Sequence, residues 1–276
     1  MADTVTVKQL STFIAQITNI DKKPDHTLFF RGHADTEYVA LPSIFRSIPD
    51  SESGAKYVDK EEHLFHNMIM QCPDDFINCV SAFDFLVKMQ HYGLPTRLLD
   101  ITSNPLVALY FACCSLSGRG NDAKSGEVLI YQIPNADIKF YNSDTVSVVS
   151  NLAKVGGDFN INDVNNRKRY LHTIKAEKPY FEDLIKEEHL HNVLCVRPKL
   201  DNKRIIKQSG AFLLFGMGVK KNDPTRIPDD FRSDSIARIE IPKTSKKKVI
   251  EELSSIAISE ATLFPEIDNV ARFLKG

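Results

Sequence analysis

Gln90 to Ala112 reads QHYGLPTRLLDITSNPLVALYFA, and its second half decides what kind of domain this chain forms. Asn104 before Pro105 is a helix start: the asparagine side chain accepts the first free amide hydrogens, and proline at the first helical position forfeits no hydrogen bond. Leu106 to Cys114 then leave the helix no polar face, so other elements must enclose it. The first half crowds His91, Thr96, Arg97 and Asp100 around Gly93 and Pro95. Polar groups held by two conformational punctuators beside an apolar anchor suggest a shaped site.

Working outward, the upstream chain reads as helical. Val5 to Ile20 carries Leu10, Phe13, Ile14 and Ile17 at helical spacing, and the polar DKKPDH stretch ends it. A short strand is expected at Thr27 to Phe30, then helices over Lys60 to Gln71 and Phe76 to Gln90, with Gly93 where a C-terminal glycine belongs. Downstream, Glu127 to Ile133, Asn192 to Val196, Ala211 to Phe215 and Ile236 to Ile241 are short branched or aromatic runs and read as strands. Asn135 to Glu177 is weakly periodic and reads as loops with one or two helices. Thr244 or Ser245 caps a helix through Leu253, with Lys246 to Lys248 on its exposed side, and a last helix is expected over Glu266 to Leu274. Helices first and strands later make an α+β domain, a helical N-terminal part packed on a mixed sheet. One domain over residues 1–276, with an accessory helix at 5–20, is the simplest organisation.

Bulk composition excludes several classes. The chain has 276 residues, 42% hydrophobic and 26% charged, which suits a globular core and not a disordered or fibrous chain. Thirty-five basic residues balance thirty-six acidic ones, so no overall field favours nucleic acid or an anionic membrane. The five cysteines, Cys72, Cys79, Cys113, Cys114 and Cys195, lack CxxC pairing and read as reduced core thiols. With no signal-peptide profile and no apolar run of the roughly 18 residues that span a bilayer, the expected location is cytoplasmic, without membrane contact.

Three constellations are candidates for chemistry. In the opening stretch, Ser103 and Asn104 lie where a buried helix offers spare amides and its positive dipole end to a phosphate or carboxylate, a seat that Asp100 can equally fill. Arg97 is a bidentate donor that can pair with Asp100 or with a phosphate, and His91 alone would be an ordinary helix-end histidine. Arg204 to Phe212 places Arg204 and Gln208 on a loop entering a strand, with Gly210 allowing close backbone approach. Phe29-Phe30-Arg31-Gly32 delivers an arginine at a strand end, followed by a residue that tolerates unusual torsions. His63 and His66 near Glu61 and Glu62 lack the HExxH order of a zinc helix, so no metal is expected. The chain has no GxxxxGK[ST], GxGxxG or GxSxG, which disfavours classical nucleotide triphosphatases, dinucleotide-fold dehydrogenases and serine hydrolases.

Together these segments resemble the FRG-domain family. Phe30-Arg31-Gly32 is similar to its Phe-Arg-Gly signature, Leu41-Pro42-Ser43-Ile44-Phe45-Arg46 to its L-P-S-hydrophobic-x-R element, and Gln90 through Ala112 to its most specific block. Arg204-Ile205 with Gln208-Ser209-Gly210-Ala211-Phe212 is similar to the R-I-x-x-Q-x-G-x-F element, and Glu260 to Ile267 to the terminal T-L-F-P-D-L block. The family is distantly similar to ADP-ribosyltransferases, and that resemblance implies a site. Arg31 would serve the cofactor from a first strand, Thr96 to Tyr110 would be the strand-helix unit of the nicotinamide pocket, and Gln208 or Glu260 would complete it. No Q-x-E or E-x-E pair stands at Gln208-Ser209-Gly210.

The implied catalytic set is Arg31, His91, Asp100, Gln208 and Glu260, and the implied NAD-binding set is Arg31, Gly32, Thr96, Arg97, Asn104, Tyr110 and Arg204. A carboxylate, Glu260 or Asp100, would stabilise charge on the ribose while arginines hold the pyrophosphate, and Gln208 or His91 would orient the ribose or deprotonate the acceptor. The implied activity is NAD-dependent ADP-ribosyl transfer with a nucleic-acid acceptor, in a toxin or antiviral-defence setting with a neutralising antitoxin partner. A non-catalytic module that senses nucleotide or nucleic-acid phosphate has the same arginines without an acid across from them. A structural module, with Arg31, Arg97, Asp100 and Arg204 in a buried ion-pair network, is the third alternative.

Overall fold

The apolar helix is α4, Pro105–Cys113, and two glycines explain how it is enclosed. In the computed structural model, which describes residues 3–49, 51, 54–114 and 124–266, α4 lies across β2 (His26–His33) and β4 (Gly126–Pro134). A Cβ on Gly32 would meet the Ala108 carbonyl oxygen at 2.0 Å, and one on Gly126 the Ala112 carbonyl oxygen at 2.0 Å. The helix backbone therefore rests directly on the sheet, a contact only glycine permits. Its start is as the sequence implies: Asn104 Oδ1 accepts from the Leu106 amide at 3.0 Å, with Pro105 following.

The remaining strands are β1 (Asp3–Thr6), β3 (Leu98–Thr102), β5 (Ile138–Phe140), β6 (Val193–Arg197), β7 (Gly210–Phe215) and β8 (Ile236–Ile241). They join β2 and β4 in one mixed sheet of eight strands, ordered β1-β8-β4-β2-β3-β7-β6-β5. The two outermost pairings, β1 with β8 and β5 with β6, are parallel and the inner ones antiparallel. Sheet neighbours far apart in sequence suit an α+β domain, but helices and strands alternate along the chain. β1, β2 and β3 fall among the early helices, and the helices Asp144–Ser150 and Val164–Glu177 lie between β5 and β6, so the expected helical N-terminal part is not a separate block.

One junction in the sheet is weak. β2 pairs with β4 along its whole length, from His26 opposite Pro134 to His33 opposite Glu127. Its other neighbour, β3, pairs with it only at Phe30 opposite Thr102, while β3 pairs with β7 from Leu98 to Thr102. The sheet thus splits between β2 and β3 just past Phe30.

Alternation along the strands sorts the core into three clusters. Phe29, Leu99, Ile101, Tyr131, Ile133, Ala211 and Leu213 share one face with Ile44, Phe45, Val58 and Phe231, which come from short 3-10 turns. The other face carries two clusters. Over β4, β2 and β8, Phe30, Val128, Ile130 and Ile239 pack against α4, α1 (Leu10–Thr18) and α9 (Lys246–Ser255). Over β3, β7 and β6, Leu98, Phe212, Leu214 and Val196 pack against α2 (Glu61–Gln71), α3 (Ala82–His91), α5 (Asp144–Ser150) and α6 (Val164–Glu177).

Several boundaries differ from the sequence reading, each for a local reason. The expected helix over Val5 to Ile20 is β1 followed by α1, because Thr4 to Val7 alternates with period two and pairs with β8 before helical spacing begins at Leu10. The expected helix from Phe76 begins later, at Ala82: Ser81 Oγ accepts from the Asp84 amide at 3.2 Å, and the Asp84 carboxylate reaches back to the Ser81 amide. α3 ends as expected at Gly93, with φ of 84°. There the Gly93 and Leu94 amides bond the carbonyls of Gln90 and Met89, a Schellman motif. β3 was not read from the residue pattern; it is the strand of the strand-helix unit that the family resemblance placed within Thr96 to Tyr110. Lys246 is not on an exposed face; it is buried and donates to the Ala34 carbonyl at 2.6 Å. The expected helix Glu266 to Leu274 lies outside the described residues beyond Glu266. Cys113 and Cys195 are buried free thiols, whereas Cys72, Cys79 and Cys114 are only half-buried.

Candidate functional site

The split between β2 and β3 opens into a cavity of about 270 Å³ on the helix-covered face. Its floor is Phe30 and Gly32 of β2, Asp100 and Thr102 of β3, and Phe212 of β7. α4 forms one wall with Val107 and Phe111, and α3 the other with Val87, Gln90 and His91. These α3 residues recur at the i, i+3, i+4 spacing of one helix face. The short helix α8 (Lys203–Lys207) and its flanks close the site with Asn202, Arg204, Ile205 and Gln208. Five expected residues from three distant stretches therefore meet here: Arg31, His91, Asp100, Arg204 and Gln208, with Gly32 beneath them.

Arg31 bridges the split. Its Nη1 donates to the Asp100 carbonyl at 2.6 Å and its Nε to His33 Nε2 at 3.0 Å. Both acceptors are neutral, and among the described residues Arg31 forms no ion pair. Burial works against the guanidinium charge more than nearby Asp100 and Tyr131 favour it. An arginine still stays protonated, so a half-buried cation without an ion pair among the described residues sits at the split where the cavity opens. Tyr131, in the layer beneath, has its hydroxyl pushed up to about 12 by burial and stays neutral.

Arg204 is the second such cation. Its amide is capped by Asn202 Oδ1 at 2.8 Å, and its guanidinium stacks over the Phe264 ring, 4.6 Å from the centroid. It too forms no ion pair among the described residues. His91 ends α3 with Nε2 3.5 Å from Glu266 Oε1 and Nδ1 3.4 Å from Asn202 Nδ2. Burial, and then the charge on Arg204, hold its imidazole below the ordinary histidine value despite Glu266. It is neutral at pH 7 and able to accept a proton.

Asp100 carries the carboxylate. Its Oδ2 accepts from Gln90 Nε2 at 2.8 Å, and Gln90 Oε1 in turn accepts from the Thr96 hydroxyl. The Thr96 hydroxyl fixes which way the Gln90 amide points, and so which of its ends meets Asp100. Gln90 was not among the expected site residues; the available signal was its place on the α3 face that carries Val87 and His91.

Other expected residues serve the fold. Thr96 is buried behind Gln90 and does not line the cavity. Arg97 is fully buried on the far side of β3: Nε donates to Glu61 Oε1 at 2.7 Å, Nη2 to Glu61 Oε2, and Nη1 to the carbonyls of Phe215 and Gly216. Lys221 Nζ approaches the same carboxylate at 3.1 Å. Arg97 thus leaves both the proposed cofactor set and the proposed network with Arg31, Asp100 and Arg204. The amides of Ser103 and Asn104 are not spare, since they bond Ser209 O at 3.1 Å and Thr102 Oγ1 at 2.9 Å. Asn104 itself caps α4, so the helix start is closed to an anion.

Tyr110 is buried in the cluster over β2 and β4, away from the cavity. Glu260 starts the short helix α10 (Glu260–Leu263) and does not line the cavity either. Gln208 Nε2 donates to the Leu263 carbonyl at 3.1 Å, which ties that C-terminal segment to the rim. Gly32 is required by α4 and has no positive φ. A Cβ on Gly210 would meet only Ile205 atoms at 3.6 Å and beyond, so that glycine answers no close approach. The unusual torsion belongs instead to Ser209, with φ of 47°, in a turn held to β3 by Thr102 Oγ1 donating to Gln208 O at 2.6 Å.

The fold and site define an α+β domain whose split sheet gathers two arginines without an ion pair among the described residues, a carboxylate and a neutral histidine. Residues 26–120 match the family model described as FRG domain, and this stretch carries an FRG domain. The match includes Arg31, His91 and Asp100, while Arg204 and Gln208 come from beyond it. No curated protein and no solved structure matches the chain. Among the described residues, no helix is long and apolar enough to cross a membrane.

Proposed function

We propose that the cavity binds NAD and transfers ADP-ribose to an acceptor. The observation that carries this reading is that Arg31 and Arg204, far apart in sequence, line one cavity and neither forms an ion pair with a carboxylate of the described residues. A pyrophosphate supplies the missing charge and accepts the bidentate donors. Phe30, Phe111 and Phe212 give apolar surface for a flat ring.

In this reading the bond between nicotinamide and the ribose C1′ breaks with its electron pair leaving on the nicotinamide, and the positive charge that develops on the ribose faces Asp100. Gln90 holds that carboxylate in place. The acceptor oxygen or nitrogen bonds to C1′ and gives its proton to the neutral His91. A nucleic-acid acceptor fits the rim, where Lys203 and Lys207 are exposed on α8 beside Arg204.

The test incubates the protein with labelled NAD and, separately, RNA, DNA and protein. Label should transfer to one acceptor class, and Arg31→Ala and Asp100→Asn should each abolish transfer while circular dichroism stays unchanged. Undiminished labelling in both variants removes the assignment. A phosphate-sensing module is the second reading, favoured by the position of Glu260: with that residue off the cavity, Asp100 is the one carboxylate among the described residues lining it. Saturable NAD binding without turnover selects the sensor.

A further inference from the structure

We propose that His33 and Glu127 are positioning residues that aim the Arg31 guanidinium into the cavity without neutralising it; the proposal rests on Arg31 being the anion-binding residue. His33 and Glu127 face each other in register across β2 and β4 and are 3% and 0% exposed. His33 Nδ1 lies 2.9 Å from Glu127 Oε1, and Arg31 Nε lies 3.0 Å from His33 Nε2.

These contacts fix the proton. A guanidinium Nε can only donate, so His33 Nε2 must accept. The imidazole hydrogen then sits on Nδ1 and is donated to the Glu127 carboxylate, the usual way a carboxylate orients a histidine. Burial, with Arg31 adding to it, holds the imidazole below its ordinary value although Glu127 favours the charged form, so the ring is neutral. Glu127 meets its counter-charge on the other side, where Arg238 Nε lies 2.9 Å from Oε2. That approach is a charge contact and not an aligned hydrogen bond, since Oε2 has no hydrogen-bond partner among the described residues.

The arrangement differs from an ion pair in its consequence. Had Glu127 touched Arg31 directly, an incoming anion would have to compete with it. With a neutral ring between them, the carboxylate orients the arginine through two hydrogen bonds and leaves its charge uncancelled. Nε is held by His33 and one Nη1 hydrogen by the Asp100 carbonyl, which leaves three donors, the second on Nη1 and both on Nη2, for a ligand. Neither His33 nor Glu127 lines the cavity, so they act through Arg31.

The experiment has two arms. Nitrogen-15 NMR of the histidine rings should show His33 protonated on Nδ1, and Arg31→Ala should shift its Nε2 resonance; protonation on Nε2, or no response to Arg31→Ala, overturns the proposal whether or not NAD binds. In the second arm, calorimetry measures NAD and inorganic pyrophosphate affinity. His33→Leu should weaken binding about tenfold or more, as loss of a hydrogen bond to a charged group does. The double variant His33→Leu/Arg31→Ala should bind no more weakly than Arg31→Ala, and His33→Gln, whose amide oxygen can accept from Nε, should restore most of the affinity. Wild-type affinity in His33→Leu, or losses that multiply in the double variant, overturn the proposal. Absence of NAD binding in the wild type, with the Nδ1-protonated ring and pyrophosphate binding retained, counts against the transferase reading alone.

Discussion

Replacing Gly32 by alanine tests how the site is assembled. The added Cβ would lie 2.0 Å from the Ala108 carbonyl oxygen, 2.7 Å from the Ala112 nitrogen and 2.9 Å from Phe111 Cβ. Non-bonded heavy atoms settle at roughly 3.5 Å or more, so α4 must retreat by roughly 1.5 Å. Because α4 is buried between the sheet and α9, it cannot move alone. Overpacking of this kind costs about 1–3 kcal/mol and at times more, and two backbone contacts place Gly32→Ala at the upper end, about 3 kcal/mol. With a urea slope of about 3 kcal/mol per molar, the midpoint should fall by about 1 M.

Two other glycines serve as controls. Gly93 has φ of 84° and open space around it, so alanine there meets only torsional strain, about 1–2 kcal/mol. Gly210 has ordinary contacts and no positive φ, and Gly210→Ala should be near neutral. Urea unfolding followed by circular dichroism ranks the three. A Gly32→Ala loss no larger than that of Gly93→Ala would refute the direct seating of α4 on β2, and with it the stated geometry of the cavity wall.

Two further predictions concern charge. Burial raises the Glu61 carboxyl, but Arg97 and Lys221 outweigh it and hold the group below its usual value. The stability it contributes is present above the unfolded carboxylate value, about 4.3, and is lost as pH falls through the folded one. Glu61→Gln should therefore flatten the acid limb of the stability curve, and at pH 7 should cost about 3–5 kcal/mol by leaving two buried cations unpaired; a pH series of urea titrations measures both. For His91, whose value is depressed by burial and then by Arg204, the unfolded chain binds the proton more readily, so stability drops as pH falls below about 6.5. Arg204→Ala should move the His91 titration upward by proton NMR, and an unchanged or lowered midpoint would contradict the proximity of the two groups.

Much of the molecule was legible from local chemistry. Asn104-Pro105 and Gly93 marked helix ends because capping and left-handed torsions are properties of a few adjacent residues. β8 was read to the residue, and β4, β6 and β7 to within one, because alternating or branched runs bounded by polar loops declare a strand. β3 entered only through the family resemblance and not through the residue pattern, because Leu98 to Thr102 is a run of five residues flanked by polar groups. Gln90 was passed over because its importance comes from a partner ten residues away.

The arginines show where the sequence stops. Arg31, Arg97 and Arg204 are equivalent as residue types, and the sequence alone could group all three around a ligand. Folding divides them: Glu61 of α2 reaches Arg97 and neutralises it in the core, while Arg31 and Arg204 form no ion pair among the described residues at the sheet's split. The local sequence determined which residue types were on hand, where helices and strands begin, and that α4 had to be enclosed. Only the tertiary structure decided which charges are cancelled, because cancellation depends on distances of a few ångströms between groups that the chain brings together from far apart.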